Sequence, residues 1–315
     1  ATMVAYLFAS NAGGFGLTGT DNVISCGSYT GNGSTTGPVV TLGYEPQWVM
    51  VKRTDSTGEW LMFDVMRSMS VTGSRYLEAQ SAAAEGNIGG PSIVPTATGF
   101  QLAVDGSFTS LNASGGTYIY IAIRRGPMKT PTTGTSVYEG TTRTGTGAAA
   151  SISGLSFPPD AVLTRNRTSN GSSRYAFYDK LRGPTIYLDT AATDSEFTVA
   201  QSLTSFNQTG ESFGTGAISN FSGDPYINWQ FRRAPGFFDE VCYTGTGSGA
   251  VQNVTHNLTV VPQMMIVKCR SASGDSWMVY HSAIGNTRFL QLNSTAATGT
   301  FALWNNTTPT ATQFT

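Results

Sequence analysis

Charge is scarce in this chain. Asp, Glu, Lys and Arg together make up 12% of the residues, against about a quarter in an ordinary soluble domain. The 18 basic and 19 acidic residues leave a net charge of -1 and form no block of one sign. Nucleic-acid binding needs a concentrated basic surface that displaces counterions, and attraction to an anionic membrane needs a polybasic patch. Neither partner is expected. Long apolar runs are missing as well: none approaches the roughly 20 residues that span a bilayer as a helix. The opening "ATMVAYLFAS" has no basic stretch of the kind that begins a signal peptide. Ala1 stands where an initiator Met would, which suggests a processed product or a piece of a longer protein.

Histidine occurs twice, as His256 and His281, with no Cys or carboxylate cluster at ligand spacing, so the case for a metal is weak. The three cysteines, Cys26, Cys242 and Cys269, are an odd number and read as free thiols, not a disulfide framework. What fills the chain is uncharged: Gly, Ser, Thr and Asn outside, with 39% hydrophobic and 11% aromatic residues to build cores. That hydrophobic share separates it from disordered chains of similar polarity.

The chain repeats itself. Tyr29 opens "YTGNGSTTG", Tyr138 opens "YEGTTRTGTG" and Tyr243 opens "YTGTGSGA", at intervals of 109 and 105 residues. Such a period suits one whole domain per repeat, not a solenoid unit. After each opening a proline (Pro46, Pro159, Pro262) leads into a hydrophobic run: "WVMVKR", "AVLTRNR", "MMIVKCR". A polar turn and an aromatic run follow: "WLMFD", "RYAFYD", "WMVYH". A third run comes next: "RYLEAQS", "TIYLDTA", "RFLQLNS". The first two units close on "GGTYIYIAIRR" and "GDPYINWQFRR".

This divides the chain into a closing strand of a preceding unit with its linker (1–26), two full units (27–130 and 131–236) and an incomplete one (237–315). It begins and ends mid-unit. The runs are short, β-branched or aromatic, and bounded by Gly, Asn, Asp or Ser, which is the strand signature. Asn170-Gly171 is a hairpin cue. Alanines in "RYLEAQSAAAEG" favour a helix over 75–86, but the aligned copies carry Thr, Ile and Asp there. The expectation is a strand followed by a small-residue loop, with no helix of note. The fold class is all-β: tandem β-sandwiches of jelly-roll or lectin-like type, about 105–110 residues each.

The combination "GSYTGNGSTTG", "GYEPQWVMVKR", "GEWLMFD" and "GGTYIYIAI", with "VAYLFAS" ahead of "CGSYTGNGS", resembles repeat domains of tailed-phage virion proteins, such as tail fibres of marine and cyanobacterial phages. The resemblance implies an extracellular, structural or adhesive virion part. It implies a homo-oligomer, most plausibly a trimer, in contact with other virion proteins and with host cell-surface glycans as a candidate ligand. It brings no catalytic residues and no cofactor.

The reactive-looking patterns fall short one by one. "GNGSTTG" (31–37) lacks the Lys and helix of a phosphate-binding loop. "GESFG" around Ser212 lacks the helix of a nucleophile elbow. Asp55, Glu59 and Asp64 are acids close in sequence, but glycoside cleavage needs one carboxyl with a raised pKa. His281 occupies the slot of Asp64 and Asp179, a polar strand end. Trp60 and Trp277 share a slot that reads as core. Trp304, beside Asn305 and Asn306 in a polar loop, is the candidate platform for stacking on a sugar ring. No enzyme activity is expected. The alternatives to a fibre component are a glycan-binding adhesin, a capsid decoration protein and, least favoured, a polysaccharide-cleaving spike.

Overall fold

The computed structural model describes residues 2–16, 18–126, 130–168, 175–247 and 249–315. The chain forms two compact units, Ala1–Lys129 and Thr130–Thr315.

In the first unit the strands are β1 (Ile24–Thr30), β2 (Val39–Thr41), β3 (Pro46–Arg53), β4 (Trp60–Asp64), β5 (Arg75–Glu78), β6 (Gly86–Asn87), β7 (Ile93–Thr96), β8 (Gly99–Leu102) and β9 (Thr117–Arg124). One sheet runs β1-β9-β3-β4-β5-β6 and a second runs β2-β8-β7. Both are antiparallel throughout. Val49, Val51, Leu61, Phe63 and Ala122 from the large sheet pack with Ile93, Phe100 and Leu102 from the small one, all fully buried. Two sheets around one apolar layer make a β-sandwich.

In the second unit come β10 (Tyr138–Thr144), β11 (Ala150–Ile152), β12 (Ala161–Asn166), β13 (Tyr175–Asp179), β14 (Ile186–Asp189), β15 (Phe197–Thr198), β16 (Leu203–Asn207), β17 (Gly210–Phe213) and β18 (Pro225–Phe231). Their sheets run β10-β18-β12-β13-β14-β15 and β11-β17-β16, the same order strand for strand. Asn170-Gly171, the expected hairpin cue, lies outside the described residues. The unit continues with β19 (Val254–Thr255), β20 (Met264–Val267), β21 (Met278–His281), β22 (Arg288–Gln291), β23 (Gly299–Thr300) and β24 (Gln313–Phe314). These form a sheet β20-β21-β22-β23 and a pair β19-β24. Residues 237–315 therefore sit in the same compact unit as 131–236. Trp277 Nε1 donates to the Asp189 carbonyl at 2.9 Å, Glu196 N to Arg270 O at 2.9 Å and Gly274 N to Thr193 O at 2.9 Å.

The recurring letters have structural roles. Pro46, Pro159 and Pro262 are all buried at or just before a strand, where a missing N–H costs no ladder bond. Each proline-led strand pairs with the aromatic run that follows it. Arg75–Glu78 is a strand and residues 79–85 a loop, as the aligned copies imply. Two single-turn helices, α1 (Thr109–Asn112) and α2 (Ala217–Asn220), were not foreseen. Neither has a side-chain cap. A tyrosine from the closing strand holds each one. Tyr118 Oη donates to Thr109 O and accepts from Ala113 N, both at 2.7 Å. Tyr226 Oη donates to Ala217 O and accepts from Phe221 N, both at 2.9 Å.

The asparagine that ends each turn clamps the glycine loop. Asn112 Nδ2 donates to Val104 O at 2.6 Å and Ser34 O at 3.0 Å, and its Oδ1 accepts from Asn32 N at 3.0 Å. Asn220 does the same with Gly214 O, Ala148 O and Thr146 N. The loop glycine must be bare: a Cβ on Gly31 would lie 2.4 Å from Ala113 O, and one on Gly145 would lie 2.0 Å from Phe221 O. These loops are packed against backbone and do not cradle an anion. Tyr118→Phe keeps the ring stacked on Tyr29 at 4.9 Å but strands two polar partners. It should cost about 1–3 kcal/mol, measured by urea unfolding of the first unit, with Tyr226→Phe a parallel loss in the second.

Candidate functional site

The sequence scatters its chemical candidates over three stretches, and the structure does not bring them together. Asp64, Asp179 and His281 each end an aromatic strand and cap the turn after it. Asp64 Oδ1 accepts from Met66 N and Arg67 N, Asp179 Oδ1 from Arg182 N at 2.8 Å, and His281 Nδ1 from Ala283 N at 3.1 Å. A short acceptor at that position satisfies N–H groups that the turn leaves open, which explains why Asp and His interchange. Asp55 pairs with Arg53 at 2.9 Å and accepts from Thr117 N at 3.2 Å. The Arg53 hydrogen bond holds its carboxyl down at about 2. Glu59 accepts from Ser110, which lowers it too. Both acids are held ionised, the opposite of what a general acid requires.

Ser212 lies inside β17, paired to Ser151 Oγ at 2.8 Å and to Asn207 Nδ2 at 2.9 Å. No strand-to-helix elbow presents it. His256 is buried, its Nδ1 accepting from Leu258 N at 3.2 Å and its ring stacked near Phe314. Among the described residues no group of three His, Cys, Asp or Glu side chains could hold a metal. Cys26, Cys242 and Cys269 are free. Burial, with repulsion from Asp179, pushes the Cys242 thiol up to about 12, so it is not a ready nucleophile.

Trp304 and Asn305 line a cleft of about 300 Å³ in the 243–315 stretch, and Asn306 is not part of its lining. Its walls include Tyr243, Gln252, Val254, Val267, Met278, Leu303, Trp304, Asn305 and Phe314. The Trp304 indole is only 3% exposed. Its Nε1 donates to Arg288 O at 3.0 Å, and the ring meets Tyr280 edge to face at 5.8 Å. It serves as a wall, with little ring left open for a sugar to stack on. Asn305 and Asn306 have φ of 47° and 50°, which Asn tolerates in a turn. Asn306 O accepts from Asn286 Nδ2 at 3.0 Å. Tyr243 and Phe314, the other aromatics of the cleft, were not singled out in the sequence. Tyr243 was legible as the counterpart of Tyr29, but nothing local marks Phe314 as facing a void.

A second unforeseen feature is the polar interior of the β10–β18 sandwich. Strand register places Arg143 where Tyr29 stands, Glu211 where Phe100 stands, and Gln230 where Ala122 stands. Glu211, Asn228 and Gln230 are fully buried. Gln230 Nε2 donates to Glu211 Oε1 at 2.9 Å and to Thr141 Oγ1 at 2.7 Å. Arg143 lies 4.0 Å from the Phe213 ring centre and 4.6 Å from that of Tyr226, and donates to Asn220 Oδ1 at 3.1 Å. Glu211 Oε2, Gln230 Oε1, Asn228 Nδ2 and Arg143 Nε have no protein partner. Burial raises the Glu211 carboxyl to about 7, against the lowering effects of Gln230 and Arg143, and depresses Arg143 to about 10. A closed interior with one such acid gives no access to a substrate. Its expected consequence is a core whose stability depends on pH.

Among curated proteins and solved structures, nothing matches this chain. Residues 1–127 and 133–315 do match a family model described as a domain of unknown function, DUF7483, and the chain belongs to that family.

Proposed function

We propose that this chain is a structural component of a phage virion, part of a tail fibre or surface appendage built from tandem β-sandwich modules. One observation carries the reading. The residues that recur along the chain are spent on architecture: buried prolines, tyrosines that staple single-turn helices, asparagines that clamp glycine loops, and turn caps. A module copied for chemistry would keep its reactive groups and let its scaffold drift. Here the acid and histidine interchange at one slot while the scaffold repeats. The nearly uncharged polar surface suits an extracellular particle part that must avoid indiscriminate electrostatic attraction. Oligomerisation, as a trimer, would let weak contacts with neighbouring virion proteins or host glycans add up through effective concentration.

Gold-labelled antibody against the chain, applied to particles from cells carrying its gene, should decorate tails or appendages. Label on the capsid shell would move the assignment to a decoration protein. Particles without label would end the virion reading. A glycan-binding adhesin is the second reading, favoured by the cleft that Trp304, Asn305 and Gln252 help to line. It calls for array binding that Asn305→Ala weakens. Release of reducing ends from host polysaccharide would instead indicate a spike enzyme.

A further inference from the structure

The β20–β23 sheet is unfinished on one side. Met264 opposes His281 as Trp48 opposes Asp64 and as Ala161 opposes Asp179. By that register β20 stands where β3 and β12 stand. The free edge of β3 is taken by β9, with Ala122 opposite Val49 and Tyr120 opposite Val51. The free edge of β12 is taken by β18. Among the described residues nothing pairs with that edge of β20.

The side chains show the same gap. Val49 and Val51 are fully buried, whereas their counterparts Met265 and Val267 stay half-buried, and Met264 and Ile266 are 50% and 44% exposed. The cleft lies on the inner face of this edge, against Val267 and Met278. Tyr243 meets Phe314 edge to face at 5.9 Å, as Tyr29 meets Phe100 at 6.4 Å. In the first unit the space beyond those two rings is filled by Tyr118, stacked on Tyr29, and Tyr120, 5.5 Å from Phe100. Both come from β9. The cleft is the space that the inward side chains of such a strand would fill.

The same chain carries a strand with no sheet. Thr2–Ala9, "TMVAYLFA", was expected from its sequence to be a closing strand, but the structure assigns it no strand. Among the described residues nothing pairs with it, and a strand exists only by pairing. Met3, Val4, Tyr6, Leu7 and Phe8 are 92%, 76%, 80%, 91% and 59% exposed. Five uncovered apolar side chains in six residues are not a surface that water favours. The segment holds no charged residue, so alternate side chains can turn inward as Tyr118 and Ala122 of β9 do. It is eight residues long, the length of β9.

We propose that Thr2–Ala9 of one copy adds as an antiparallel strand to the free edge of β20 in a second copy, with alternate side chains filling the cleft. Main-chain ladder bonds would give the affinity and the aromatic-lined cleft the specificity, as in strand addition generally. The contact is heterologous, so it joins copies head to tail into rings or open chains. The inference stands independently of where the protein resides.

The test uses the 315-residue chain. Sedimentation over a range of concentrations should show a ladder of oligomers. Backbone amides of residues 264–267 should exchange about tenfold or more slower in the ladder than in dilute single copies. Tyr6→Asp with Phe8→Asp should abolish the ladder while leaving both compact units folded, because residues 2–9 are exposed and supply no side chain to either core cluster. A synthetic TMVAYLFAS peptide in excess should dissolve the ladder and slow the same amides. A chain that stays single at all concentrations overturns the proposal, whether the β20 amides are open or already protected from within the same copy. A ladder that survives the double variant also overturns it, because another surface would then be responsible.

Discussion

Glu211→Gln should remove a pH dependence from the stability of the second unit. Wild type should lose about 3 kcal/mol relative to the variant as pH rises from about 4.5 to about 7, and nothing further above that. The sign follows from burial. An unfolded Glu titrates near 4.5, and the folded Glu211 is raised to about 7. Between those values the unfolded chain has released its proton while the folded chain still holds it. The stabilisation is therefore complete below the unfolded value and is lost as pH climbs to the folded one. The carboxyl sits where the first unit has Phe100, with one oxygen on Gln230 and the other on nothing. Arg143 is close enough to help by charge, yet burial has weakened that guanidinium as well. Gln keeps the shape and the Gln230 contact and cannot ionise. Urea unfolding at each pH, read by pulsed hydrogen exchange of β17 and β18, checks it. Comparing wild type with variant cancels the slopes contributed by every other titrating group of the unit. A variant whose slope matches wild type would show that Glu211 is ionised throughout.

The contrast between that core and its counterpart shows what sequence could and could not reveal. Strand content and the strand at Arg75 were legible because period and β-branched composition are local properties, whereas the pairing of each proline-led run with the aromatic run after it came only from the structure. The one-turn helices were not. Four residues cannot nucleate a helix by propensity, and the groups that hold them, Tyr118 and Tyr226, come from the next strand. Trp304 looked open because its neighbours are polar. A lone aromatic in a loop carries no period, so nothing local tells which way its ring turns. Glu211 was hidden differently. "GESFG" drew attention to its serine, while the informative residue was the acid facing inward on alternate positions of β17. Only the register against β11, which sets it at the place of Phe100, shows that a carboxyl has entered a core.

Burial should also separate two arginines that sequence makes look alike. Asp64 and Arg67, and Asp179 and Arg182, have the same spacing after the same strand, and both pairs are salt-bridged, at 2.6 Å and 2.5 Å. The Arg67 side chain is 25% exposed and also reaches Glu85. Water and a second acid can compensate for any loss there. Arg67→Met should cost about 1 kcal/mol or less. The Arg182 side chain is 4% exposed, with Nη2 donating to Phe177 O at 2.8 Å. Asp179 and Glu196 both act on it by charge, and Asp179 also stands near Glu240, whose carboxyl burial and Asp179 drive well above the ordinary range. Removing the cation leaves Asp179 buried beside other carboxyls with less to balance it. Arg182→Met should therefore cost about 3–5 kcal/mol, lost from the second unit alone, with the first unit's unfolding unchanged. The double variant Arg182→Met with Asp179→Asn, which removes both charges, should recover part of that loss, because most of the cost is an uncompensated charge and not a lost attraction. Equal losses for Arg67→Met and Arg182→Met in urea unfolding would mean that water reaches the Asp179 site as freely as it reaches Asp64.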